Sequence, residues 1–397
     1  MSDSDDSMDN VRVNKVNKKG KSQKLPEEIE DIRTRVNVGR YAPTQVATMS
    51  FHSTFNSNGY DNSFELGEFK EEFDIQIQKC TDEELVFDMI GIDAPVANAF
   101  RRILLSEVPT MAIEKVVISN NTSIVQDEVL AHRIVNTTPQ TTDQVQVQGA
   151  PAPTASNFVP SLQNKDVVAW TPPEQMMDNE YLLFKLDVKC EARKEPNKLN
   201  DNQEEHVNHK VYSGQLEWVP IGNQKKWFKG EKVVRPVYND ILLAKLNPGQ
   251  EISLECYCVK GTGKMHAKWS PVATATYRML PEVTFKKSIK GADAKLLKST
   301  CPMNVFDIED DRAVTARPRD CTVCRECLRP DGFEHKIRVS LLKQHFVFSI
   351  ESVGQMVAKE IFREALKIFY EKCHASRNAL NESREFAKNR NKATVLK

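Results

Sequence analysis

The sequence predicts an α+β chain, and three patterns carry this reading. Period-two alternation marks strands in FDIQIQKC (73–80) and ELVFDMIGI (84–92). A period-3.6 apolar stripe marks a helix just after them, and a second, longer helix lies near the C-terminus. Between the helices run short strand-like stretches separated by turn residues, the signature of antiparallel sheet.

In chain order, residues 1–64 are polar, rich in Ser, Asn, Asp and Lys, and read as a disordered tail. Within it KVNKKGKSQK (15–24) reads either as a nuclear-localisation patch or as a solvated basic stretch. FDIQIQKC and ELVFDMIGI are expected to pair as half-buried strands. Asp93 is then a good N-cap and Pro95 suits a first helical turn. Val96, Ala99, Phe100, Ile103 and Leu104 form the stripe, Pro109 ends the helix, and MAIEKVVI (111–118) alternates as a strand. Residues 135–170, poor in bulky side chains and rich in Thr, Gln, Pro and Ala, read as a flexible insertion. The runs YLLFKLDVKCEA (181–192), KVYSGQLEWVPI (210–221) and EISLECYCVKG (251–261) read as strands, with a polar break at 194–210.

HFVFSIES (345–352) puts Phe346, Phe348 and Ile350 on one strand face, and residues 355–380 follow as a long amphipathic helix. Met356, Val357, Ile361, Ala365, Ile368, Phe369 and Tyr370 line its broad apolar side. A face this wide is covered either by another chain or by the helix's own sheet. Residues 381–397 read as a polar tail.

Lys+Arg and Asp+Glu both total 55, so the formal net charge is +0. That disfavours a protein holding nucleic acid alone, which carries a basic excess. No apolar run approaches the ~18–20 residues of a spanning helix. The acidic N-terminus MSDSDDSMDN is no signal peptide, so the nine cysteines point to a reducing compartment.

Three of those cysteines, in CTVCREC (321–327), recur every third position. Nineteen residues separate Cys301, followed by Pro302, from Cys321. C-x2-C-x2-C with a separate Cys-Pro is the spacing of bacterial-type ferredoxins. Residue 331, where a local fourth Cys-Pro would begin, is Asp331. Cys301, Cys321, Cys324 and Cys327 are therefore one candidate ligand set, for an iron–sulfur cluster ([4Fe-4S] or [3Fe-4S]) or a zinc ion, or a set that holds no metal. Arg319 and Arg325 stand near it in sequence. Cys80, Cys190, Cys256, Cys258 and Cys373 sit in apolar patterns and read as small buried hydrophobes. No phosphate loop, nucleophile elbow or HExxH is present, and the histidines do not group, so no catalytic residue is assigned.

Longer stretches carry a family resemblance. FDMIGIDAPVANAFRRILLSEVPTMAIEKVVISNNTSIVQDEVLAHRI (87–134) resembles the alpha-like motif of DNA-directed RNA polymerase assembly subunits. GKMHAKWSPVATATYRMLP (263–281) resembles a second signature of that family, and QHFVFSIES (344–352) leading into a long helix a third. The run from Trp269 to Ala275 is similar to the larger alpha-like subunit shared by eukaryotic RNA polymerases I and III, in the family of bacterial polymerase alpha and its archaeal counterpart. One stretch departs: after LAHRI the family continues with an apolar turn, and here VNTTPQTTDQ follows.

The resemblance implies a non-catalytic assembly subunit of nuclear polymerases I and III, found in the nucleus and nucleolus. It would pair with a small alpha-like subunit and form the platform for the two largest subunits. DNA would be met only through the whole complex, and no membrane is involved. It also implies a discontinuous dimerisation domain at 65–123 and 335–380, an inserted β-rich domain at 124–284 and a ferredoxin-like subdomain at 285–334. Asn98, Arg101 and Arg102 match the family's first-helix motif. With Phe100 and with Ile361, Ala365, Ile368 and Phe369 of the last helix, they are the candidate partner-binding residues. The alternative from another class is a ferredoxin-type electron carrier or oxidoreductase component.

Overall fold

The computed structural model describes residues 26–46, 64–135, 137, 139–140, 181–192, 206–228 and 234–395. The basic stretch 15–24 and nearly all of the insertion 135–170 lie outside them. The chain divides into two compact units and passes between them several times.

One unit holds residues through Asp74, a short piece at Ile90–Ala94, and Met279–Phe346. Residues 26–46, read from sequence as part of the polar tail, are folded here. They form α1 (Glu27–Thr34), β1 (Arg35–Val38) and β2 (Pro43–Thr44). The missed signal is Arg35-Val36-Asn37-Val38, a four-residue alternation whose two valines are buried. β1 pairs antiparallel with β11 (Ile337–Ser352), from Arg35 opposite Leu342 to Val38 opposite Val339. Polar bonds tie the segment down. Arg35 donates to Glu282, Arg338 donates to Asn37 and pairs with Asp31, and Lys343 donates to the Ile32 carbonyl. Asp93 in this unit is held above the usual carboxylate range by burial, against the opposing charge of Lys343.

The same unit contains a small lobe of α4 (Gly291–Thr300) and the hairpin β9 (Phe306–Glu309) with β10 (Arg312–Thr315). Its core is Ile289, Ala294, Leu297, Val305, Phe306, Leu328 and Phe333, with Val38 and Val339 packed in.

The other unit holds Ile75–Met89, Pro95–Arg278 and Val347–Lys397. Its larger sheet has the order β7-β6-β8-β5, formed by Glu217–Val219, Tyr181–Lys189, Glu251–Gly261 and Thr110–Asn121. Every pairing in it is antiparallel, as the spacing of short strands predicts. α3 (Asp127–Val135) packs on it through Leu130 and Ile134, over Phe184, Leu186, Leu254, Cys256 and Cys258.

A second layer combines β3 (Asp74–Cys80), β4 (Glu84–Ile90) and the end of β11 with α2 (Ala94–Ser106) and α5 (Ala358–Val395). Aromatic rings bind it together. Phe87 stacks on Phe348 at 5.2 Å and meets Phe362 at 4.7 Å, while Phe100 meets Phe369 at 4.8 Å. Two expectations are corrected here. β3 is not half-buried, because it is the sheet edge and all seven residues are exposed. The helix read as ending at 380 runs on through the polar residues 381–395, as their Glu, Arg, Ala and Lys content favours.

Candidate assembly surface and cysteine cluster

α2 carries its polar residues away from the ring layer. Asn98 and Arg101 are half-buried and joined, with Arg101 donating to Asn98 Oδ1 at 2.8 Å, and Arg102 is exposed. Phe100 lies inside its own unit, 6% exposed. On α5 the same division recurs along the helix. Ile361 and Ala365 are fully covered by this chain, and Ile368 and Phe369 are half-buried. From Tyr370 to Phe386 every side chain is exposed, including Leu380 and Phe386. The apolar face therefore splits in two: its first turns cover their own sheet, and its later turns are uncovered. Phe100, Ile361 and Ala365 belong to the chain's interior, whereas Tyr370, Leu380 and Phe386 are outside it.

The second signature acts as a buckle between strands and helix. Trp269 is 3% exposed, and its Nε1–H donates to the Val259 carbonyl at 3.0 Å. Lys268 sits 4.3 Å over the indole ring and also pairs with Glu114. Thr110 donates to the Trp269 carbonyl, and Gly261 leaves the indole room against the strand. Lys264 N–H donates to the Ser106 carbonyl at the end of α2.

Cys301, Cys321, Cys324 and Cys327 line one small cavity in the first unit, together with Val283, Val305 and Val339. Its volume is about 20 Å³, near the space of one water. No cysteine of the chain is in a disulfide. Cys324 is exposed and Cys327 buried; burial, and then the charges of Cys321, Cys324 and Cys301, push the Cys327 thiol up to about 12. The loop bends through left-handed backbone at Val323 and Arg325 (φ 58° and 68°), unfavourable for a β-branched valine. Arg325 also lines this cavity, and its guanidinium donates to the Tyr41 carbonyl at 2.7 Å.

The donor set suits a soft metal chemically, because four thiols reach one cavity. The geometry is less complete. Among the described residues no three Cys, His, Asp or Glu side chains are arranged to hold a metal ion. The other cysteines divide: Cys190, Cys256 and Cys258 are buried as expected, while Cys80 and Cys373 are exposed, correcting their reading as core residues. Cys80 lies on the edge strand and Cys373 where α5 leaves the body, placements that local apolar pattern does not encode.

With this geometry in place, comparison with known proteins decides the family. Residues 86–373 match the RNA polymerase Rpb3/Rpb11 dimerisation domain. The chain belongs to that family. The chain is similar to DNA-directed RNA polymerases I and III subunit rpac1 of Dictyostelium discoideum, 45% identical across 89% of this chain and 95% of that one. The corresponding Saccharomyces cerevisiae subunit is 37% identical, covering 81% of this chain and 92% of its own length. An archaeal relative, subunit Rpo3 of Methanosphaera stadtmanae, is 30% identical across 78% of this chain and 98% of its own. Nothing in these relatives supports the electron-carrier alternative. No helix among the described residues is long and apolar enough to cross a membrane.

Proposed function

We propose that this chain is the larger alpha-like, non-catalytic subunit shared by RNA polymerases I and III, acting in the nucleus and nucleolus in transcription of rRNA, 5S rRNA and tRNA. The observation that carries this is the 45% identity with the Dictyostelium subunit over nearly the whole length of both chains. The uncovered turns of α5 beyond Phe369 support a role that needs a second chain. A small alpha-like subunit is the direct partner in this reading, and the pair forms the platform for the two largest subunits. Affinity purification of the tagged chain tests it. Co-purification of a small alpha-like subunit with the large subunits of polymerases I and III is expected. Recovery of the chain alone, or with polymerase II subunits, would refute it.

A second reading concerns the cysteines. Convergence of Cys301, Cys321, Cys324 and Cys327 on one cavity favours their acting as a ligand set for an iron–sulfur cluster or zinc. A structural metal would cross-link residue 301 to the 321–327 loop and hold that loop against the lobe's core. Metal analysis of the purified complex is expected to give iron or zinc in stoichiometric amount, lost in a Cys324→Ser, Cys327→Ser variant. A metal-free complex would end this reading.

A further inference from the structure

The turn from α2 into β5 places one carboxylate where three elements of the second unit meet. Glu107 lies just past the end of α2, with its side chain only 16% exposed. Lys372 of α5 donates to both of its oxygens, at 2.6 and 2.7 Å, and Lys264 of the 262–266 turn approaches to 3.4 Å. Burial pushes the Glu107 carboxyl up. The bond from Lys372 and the charges of both lysines outweigh that, and the group stays below the usual carboxylate range.

The position of this contact along α5 gives it leverage. Ile361 and Ala365 fasten the first turns of the helix, and beyond Lys372 every side chain to Phe386 is exposed. The clamp thus stands where the helix leaves its own body. From Lys372 to Val395 the rise of 1.5 Å per residue gives about 35 Å of helix. A tilt of about 10° at the clamp would carry the far end about 6 Å sideways, more than half of a normal helix–helix separation. Without Glu107, Lys372 and Lys264 would lose the counter-charge they share.

We propose that Glu107 is a positioning residue for assembly, which by holding Lys372 and Lys264 sets the angle at which α5 presents its uncovered turns to the small alpha-like subunit. This rests on the heterodimer reading above. The pair prepays the orientation that the partner would otherwise have to impose, so losing it costs affinity through preorganisation rather than through a lost intermolecular contact.

The test uses the full chain co-purified with the small alpha-like subunit, and follows exchange of that subunit against a labelled excess. Glu107→Gln and Lys372→Gln are each expected to speed partner release about five- to tenfold at low salt. The difference should narrow as added salt also screens the wild-type clamp. Hydrogen-exchange protection of β5 and β8 should be unchanged. Lys372 is half exposed, so its variant carries the test if Glu107→Gln fails to fold. Release at the wild-type rate in both variants overturns the proposal, and so does loss of β5 and β8 protection in step with release, which would mark a merely structural role. A wild-type chain that forms no such complex overturns the heterodimer reading itself.

Discussion

Gly261→Ala is the sharpest test of the Trp269 buckle. A Cβ added at Gly261 would stand 2.5 Å from Trp269 Cδ2 and 2.7 Å from Nε1, well inside contact distance. The indole has no easy retreat. Its Nε1–H is bonded to the Val259 carbonyl, Lys268 covers its face, and the residue is 3% exposed. Forcing a methyl group into such a core costs about 1–3 kcal/mol. If the ring swings away instead, its hydrogen bond is lost for about 1 kcal/mol more. The expected total is about 2–4 kcal/mol. Native-state hydrogen exchange on the amides of β5 and β8, which flank the indole, reads this directly. Trp269→Phe shrinks the ring, so the double variant should be less destabilised than the sum of the single changes. A change below about 0.5 kcal/mol in Gly261→Ala, or strict additivity with Trp269→Phe, would refute the packing argument.

Phe87→Ala removes a ring that touches Phe348 and Phe362 and is 1% exposed, so a loss of about 3–5 kcal/mol is expected in urea unfolding. The carboxyl of Glu282 is held below its ordinary 4.5, first by the bond from Arg35, against burial, with Ser340 and Arg338 assisting. A depressed carboxylate stabilises the fold above its unfolded pKa, and that contribution fades as pH falls through the lower folded value. Acid unfolding of Glu282→Gln should accordingly be less steep below pH about 4.5 than that of the wild type. Brief alkylation of the native, metal-free chain should modify Cys80, Cys324 and Cys373 first and leave Cys190, Cys256, Cys258 and Cys327 unmodified, as peptide mass spectrometry would show.

Much of this architecture is written in local pattern. The stripe from Val96 to Leu104 gave α2, and short strand-like runs gave β4, β8 and the second half of β11, whereas Ile337–Gln344 was not read as strand. The four clustering cysteines were legible from spacing alone. What failed was anything decided by a distant neighbour. β3 alternates like its partner, yet as the edge strand it keeps all seven side chains exposed. Val36 and Val38 are two apolar residues in a polar stretch, and they become core through neighbours such as β11, some three hundred positions later. Glu107 is one acid among 55 acidic residues, and only the arrival of Lys264 and Lys372 distinguishes it. Phe100, Ile361 and Ala365 show the converse error: an apolar face is visible in sequence, but not which chain covers it.

The long reach of β1 bears on how the chain is made. Arg338, which fastens Asn37, is separated from it by 301 positions. At about 5–20 residues per second, the ribosome takes roughly 15–60 s to span that gap. Throughout that interval β1 has the short β2 beside it but lacks β11, its longer ladder. Its valines are flanked by Arg35, Asn37 and Arg33, side chains that discourage adhesion to other nascent chains. β1 thus leaves the exit tunnel long before the strand that completes its sheet.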